Sequence, residues 1–189
     1  RADLQKVVEA NLTTSQTSPA VCTNCVGIFS RAQEQLKSHP NIFADSVHAL
    51  PTPLRMDADE RYTGRGVTIA FLDSGFYAHA DLTEPENRIV AYHSIFPAED
   101  DPTRLQTTDV SSWHGMMTSV VAAGNGYLSE GVYRGIAPDA NVVLVKIGQT
   151  GKIPESSIEK GLRWVVENKE KYGIQIVNIS AGGHFEQSY

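Results

Sequence analysis

The stretch Val67-Thr68-Ile69-Ala70-Phe71-Leu72-Asp73-Ser74-Gly75 restricts the fold of this chain more than any other. An apolar run of strand length, interrupted only by Thr68, reads as a strand covered on both faces, the situation of a strand inside a parallel sheet. Parallel strands need long crossovers, so helices are expected between them. The run stops abruptly in a carboxylate, a hydroxyl and a glycine. In open α/β sheets ligands bind outside the carboxyl ends of the strands; Asp73 stands at that edge, and Gly75 lets the chain turn sharply. This stretch alone leaves Asp73 two readings, a cap for the turn that follows or a carboxylate placed for chemistry.

The pattern then repeats. Apolar runs recur at 88–92, 141–147 and 173–180, and a helix is predicted over 155–168 with Ile158, Leu162, Trp164, Val165 and Val166 on its apolar side. Between the second and third runs, Trp113-His114-Gly115-Met116-Met117-Thr118-Ser119-Val120-Val121-Ala122-Ala123-Gly124 reads as a helix with His114 in its first turn and Gly124 as its stop. The order strand, strand, helix, strand, helix, strand predicts a doubly wound parallel α/β sheet with right-handed crossovers. Asp73, Gly148 and Ser180 then share one carboxyl-end edge. A helix N-terminus disfavours the imidazolium, so a base at His114 needs a carboxylate to stabilise the charge it gains, and Asp73 is the candidate. A lone histidine is otherwise an ordinary surface or core residue.

Residues 1–60 lack the strand pattern and are read as an N-terminal extension. Leu4, Val7, Val8 and Leu12 recur at helical spacing, a second helix is expected over 28–37, and the stretch around Pro51 and Pro53 is expected to be an extended arm. Cys22-Thr23-Asn24-Cys25 has redox or zinc spacing, but a zinc site wants two more ligands and only His39 and His48 lie near; the alternative is a loop pair, free or locally bridged. Asn11-Leu12-Thr13 has the form of a glycosylation sequon, which means nothing outside a secretory context. Residues 93–112 read as a long loop, in which Glu99-Asp100-Asp101 is either a cation site or a solvated acidic turn.

Composition excludes some functions. With 189 residues the chain buries about 70% of its unfolded surface, ample for a core without disulfides or metals. Its longest apolar runs are too short to span a bilayer, and a net charge of −6 argues against a nucleic-acid surface. No charged-then-apolar leader opens the sequence at Arg1, so any targeting peptide is expected to have been removed or never to have existed. A nucleotide-binding domain would need a glycine-rich phosphate loop after a strand, and none is seen.

From about Arg61 onward the chain resembles the subtilisin-like serine proteases, the subtilases. The run ending in Asp73-Ser74-Gly75 resembles that family's strand ending in Asp-Ser/Thr-Gly, and His79-Ala80-Asp81-Leu82 resembles the His-Pro-Asp-Leu that follows it. His114-Gly115 opening a small-residue helix resembles the catalytic histidine block, and Gly135-Ile136-Ala137-Pro138 the Gly-Val-Ala-Pro after it. Val177-Asn178-Ile179-Ser180-Ala181-Gly182-Gly183 resembles the Ile-Asn-Met-Ser-Leu-Gly-Gly strand end. The resemblance implies a three-layer αβα fold and a serine endopeptidase in which His114 is the base and Asp73 orients it, in the family's chain order Asp, His, Ser. It implies that Ser180, Ala181 and Gly182 pair with an extended polypeptide substrate, with Gly148 and Gly151 lining the other side.

The resemblance implies no required cofactor, a possible structural calcium at Asp81, and secretion as the family default. Two departures qualify it. Where the family continues His-Gly-Thr-His-Val-Ala-Gly, this chain has His114-Gly115-Met116-Met117-Thr118-Ser119, which changes the packing behind the histidine. The family's Gly-Thr-Ser-Met-Ala block is not in the sequence, so the expected nucleophile lies on a C-terminal remainder of the catalytic domain. The alternative is a non-catalytic subtilase-like module that binds peptides or serves as a scaffold. Ala122-Ala123-Gly124-Asn125 looks like the family's oxyanion-hole segment but stands too early, so Asn125 is read as a helix-end and loop residue.

Overall fold

The computed structural model describes residues 51–149 and 153–182. Four strands form one parallel sheet: β1 (Thr68–Asp73), β2 (Ile89–Ser94), β3 (Asn141–Lys146) and β4 (Ile174–Ile179), in the spatial order β2-β3-β1-β4. Of its helices, α1 (Thr52–Arg55) and α2 (Ala80–Thr83) are single turns, α3 (Ser112–Ala123) links β2 to β3, and α4 (Glu155–Tyr172) links β3 to β4. Helices cover both faces, which is the doubly wound arrangement. The steps β2 to β3 and β3 to β4 run in the same direction across the sheet, yet α3 packs on one face and α4 on the other. The two crossovers therefore have opposite hands, and the expectation of right-handed crossovers throughout does not hold.

Alternation along the strands sorts the core into two clusters. Ile69 and Phe71 of β1 join Val142 and Leu144 of β3, together with Phe76, Leu82, Leu105 and Ala123, on the α3 side. Ala70 and Leu72 join Val143, Val145, Ile147 and Val165 on the α4 side. Fully burying a side chain of this size contributes about 1.5–3 kcal/mol, and β1 is buried along its whole length. The same alternation carries Asp73 to the α3 side at the strand's end, with its register partner Lys146 beside it.

Both long helices approach the sheet most closely through small residues; of the predicted apolar side of α4, Ile158, Trp164 and Val165 pack on the core while Leu162 and Val166 do not. The buried positions of α3 are Ser112, Gly115, Ser119 and Ala123, whereas Trp113, Met117 and Val121 are exposed. In α4 the buried positions are Ser157, Gly161 and Val165, and Leu162 and Val166 stay exposed. Close approach is the reason. A Cβ on Gly161 would lie 2.6 Å from Ile147 Cγ2, so the helix sits on the sheet where its side chains are smallest. α4 also runs past the predicted residue 168 to Tyr172, ending at Gly173, whose φ of 61° is the left-handed stop glycine favours. β4 pairs with β1 on one side and carries exposed Ile176 and Val177.

Two further expectations meet the structure. Around Pro51 and Pro53 the arm is instead one helical turn, closed by the Met56 N–H donating to Thr52 O at 3.0 Å. Proline is tolerated there because first-turn N–H groups have no intrahelical acceptor. The long loop at 93–112 contains two short 3₁₀ turns, Pro97–Glu99 and Pro102–Gln106. The predicted helices before residue 40, the cysteine pair and the Asn11 triplet lie outside the described residues.

Candidate active site

Asp73 ends β1 with a side chain only 1% exposed, so its carboxylate needs hydrogen-bond donors. The backbone N–H of Ser74 donates to Oδ1 at 2.7 Å, and His114 Nδ1 lies 2.8 Å from Oδ1 and 2.9 Å from Oδ2. A carboxylate can only accept, so Nδ1 carries the ring proton and Nε2 is left with its lone pair. The His114 side chain is 38% exposed, and Nε2 is therefore the nitrogen that can exchange a proton with another group. Thr118, one helical turn beyond His114, brings its hydroxyl within 3.3 Å of Asp73 Oδ2 and 3.1 Å of Gly115 O.

Two glycines allow this meeting. A Cβ on Gly115 would stand 2.1 Å from Gly75 O, and one on Gly75 would stand 2.6 Å from Ser111 Oγ. The first turn of α3 thus packs backbone to backbone on the turn after Asp73. Asp109 holds the entry to the helix: Oδ1 accepts the Ser111 N–H at 2.7 Å and its hydroxyl at 2.6 Å, and lies 3.1 Å from Ser112 Oγ. These bonds, the Ser111 hydroxyl foremost, hold the Asp109 carboxyl below the usual carboxylate range. The Ser74 hydroxyl is within 3.1 Å of Ser111 O, closing the same junction.

The remaining sequence-predicted residues fall as follows. Ser180, Ala181 and Gly182 directly follow β4, and buried Gly148 follows β3, so both stretches leave the sheet at the edge that carries Asp73. Asn178 Nδ2 donates to Ser180 Oγ at 2.9 Å, tying the end of β4. Gly151 lies outside the described residues. Asn125 is a loop residue just past α3; its Nδ2 donates to Glu84 O at 2.6 Å and its Oδ1 accepts the Tyr127 N–H at 3.0 Å.

Around Asp81, protein donors take up several of the acceptors a calcium ion would use. Asp81 Oδ1 accepts the Leu128 N–H at 3.0 Å, and the Asp81 carbonyl accepts from Arg88 Nη2 at 2.6 Å. Arg88 Nη1 also donates to Ala123 O at 2.7 Å and Ala140 O at 2.8 Å. A guanidinium therefore occupies carbonyl oxygens of the kind a hard cation would need. Burial pulls the Arg88 pKa down, against the pull of Asp139 and Asp81. No cluster of three or more His, Cys, Asp or Glu side chains suited to a metal occurs among the described residues. The acidic turn is likewise divided: Asp100 accepts from the Ser94 N–H, Asp101 caps Thr103, and Glu99 meets Lys146 and Gln149.

Lys146, Ser111, Asp109 and Thr118 are absent from the sequence-predicted site. Thr118 had a signal in its four-residue spacing from His114, and Lys146 in being a cation at the end of an apolar strand. No signal joined Ser111 or Asp109 to the turn after Asp73, because the Ser74–Ser111 contact is made by the loop's path.

A parallel αβα sheet with a histidine hydrogen-bonded to a buried strand-end aspartate describes a class of hydrolytic enzyme. The comparisons narrow it: the subtilase family's sequence model matches residues 64–188, and the chain belongs to this family of serine proteases. It is 33% identical over 125 residues to the serine protease AprX of Bacillus subtilis, a match covering 64% of this chain and 26% of that protein. It is 35% identical over 122 residues to subtilisin Savinase of Lederbergia lenta, covering 64% of this chain and 39% of that protein. The fold is similar to the solved structure of the Clostridium perfringens CspB protease, with a TM-score of 0.56 and 21% identity over 68% of this chain and 31% of that one. The chain thus spans between a quarter and two fifths of the length of these curated relatives. No helix among the described residues is long and apolar enough to cross a membrane.

Proposed function

We propose that this chain supplies Asp73 and His114 of an Asp-His-Ser triad that hydrolyses peptide bonds, with the serine on polypeptide beyond Tyr189. The observation that carries the reading is His114 Nδ1 at 2.8 and 2.9 Å from both oxygens of a carboxylate 1% exposed. In this reading His114 Nε2 takes the serine proton as the oxygen attacks the peptide carbonyl, then gives it to the departing amine. Asp73 keeps the ring in the tautomer that makes Nε2 basic and stabilises the imidazolium while it lasts. The polypeptide substrate lies along Ser180-Ala181-Gly182 as an added strand, with Gly148 and Gly151 opposite.

A fluorophosphonate probe tests this, since it reacts only with an activated serine. The protein at its natural length takes the label, and His114→Ala reduces labelling by at least about 10³-fold. Labelling unchanged in that variant removes His114 from the role of base. A protein that takes no label yet still binds peptides is the non-catalytic module.

A further inference from the structure

Lys146 is a buried cation that the proposed chemistry leaves without a task. It ends β3 at 5% exposure, between Val145 and Ile147, both fully buried. Removing an ammonium from water costs several kcal/mol unless its three N–H groups find acceptors. Here Nζ donates to Ser74 O at 2.7 Å and Ser111 Oγ at 2.9 Å, with Glu99 Oε2 at 3.4 Å. The three partners belong to three segments. Ser74 is the residue after Asp73, and its N–H donates to the Asp73 carboxylate. Ser111 belongs to the turn tied by Asp109, from which α3 delivers His114 three residues later. Glu99 ends the 3₁₀ turn after β2 and also meets Gln149, next to Gly148.

We propose that Lys146 is a positioning residue, whose ammonium sets the separation of the Asp73 turn from the first turn of α3 and so the His114–Asp73 hydrogen bond. Stability alone is a weak explanation for it. Buried ion pairs are often matched or bettered by apolar residues of similar volume. An apolar side chain at this position would fill the space, but it would leave Ser74 O and Ser111 Oγ without the donor that joins them. Gly75 and Gly115 bring the two segments into backbone contact, which gives closeness without register. Beside the single Ser74 hydroxyl bond to Ser111 O, the lysine adds register through two hydrogen bonds of ordinary length.

This inference rests on the Asp73–His114 reading, and its test separates the two. In the protein at its natural length, Lys146→Met lowers the maximal rate of fluorophosphonate labelling roughly 10²-fold, the cost of a misplacement near 1 Å, while half-saturation stays within about twofold. The low-field proton resonance of His114 Nδ1–H broadens or disappears in the same variant. An unchanged rate and resonance, with only the urea midpoint lowered, would make Lys146 purely structural. Should Lys146→Met not fold, Ser111→Ala removes one of its two close partners; the same changes in smaller size are expected, and their absence overturns the proposal. A wild-type protein that takes no label defeats the protease reading, yet the resonance comparison still decides the role of the lysine.

Discussion

Gly115 has no space for even a methyl group. A Cβ there would meet Gly75 O at 2.1 Å and Phe76 Cε1 at 2.8 Å, and the carbonyl belongs to backbone that Asp73 and Ser111 already hold. Gly115→Ala is therefore expected to cost about 3 kcal/mol, the upper end of overpacking, read as a lower urea midpoint. It should also slow fluorophosphonate labelling, since relief comes by moving the first turn of α3 away from the β1 turn. The His114-Gly115 pair was legible as a motif, and the contact explains the second half of it: the glycine permits the approach of the helix to the β1 turn. Thr118 was less legible. Its hydroxyl reaches Asp73 because residues four apart share a helix face, a fact of spacing, but which face turned toward Asp73 depended on the packing of the whole helix.

At the scale of elements, two devices hold α3. Asp109 ties the turn that leads into it, and because the carboxyl sits below its unfolded value of about 3.9, its contribution is fully present above that pH and is lost as pH falls through the folded value. Asp109→Asn should thus lower the urea midpoint at pH 7 and leave a smaller difference from the parent protein at pH 3. At the other end Arg88 joins Asp81 O beside α2, Ala123 O at the close of α3 and Ala140 O at the entry to β3. Arg88→Met removes the donors from these three carbonyls and should destabilise by about 3 kcal/mol in urea unfolding, a loss of helix ends and strand entry together. The existence and order of these elements were readable from apolar periodicity. Their buried faces were readable in part: Ile158, Trp164 and Val165 of α4 pack on the core as their periodicity predicts, but Gly115 and Ser119 in α3 and Ser157 and Gly161 in α4 gain burial from close helix–sheet approach rather than from hydrophobicity.

For the whole molecule, the region where the resemblance implies calcium is closed by protein donors. If Arg88 and the Leu128 N–H serve in place of a cation, EDTA leaves the thermal midpoint unchanged; a fall of several degrees that calcium reverses would place a bound cation at Asp81. The sequence by itself determined the parallel sheet, because the uninterrupted apolar run at 69–72 is satisfied by cover on both faces. It also determined that Asp73 stands at the carboxyl edge and that His114 opens a helix, since local pattern places both. What only the tertiary structure decided is the junction between them. Lys146 and Ser111 meet Ser74, and Ser111 meets Asp109, through a loop whose course no periodicity encodes. The side-chain donors to the buried Asp73 carboxylate, His114 and Thr118, come from a helix far along the chain. Asp73 began with two local readings, turn cap and functional carboxylate. The Ser74 N–H supplies the local turn bond to Oδ1, and the fold adds His114 Nδ1 against both oxygens, the contact on which the proposed role of Asp73 rests.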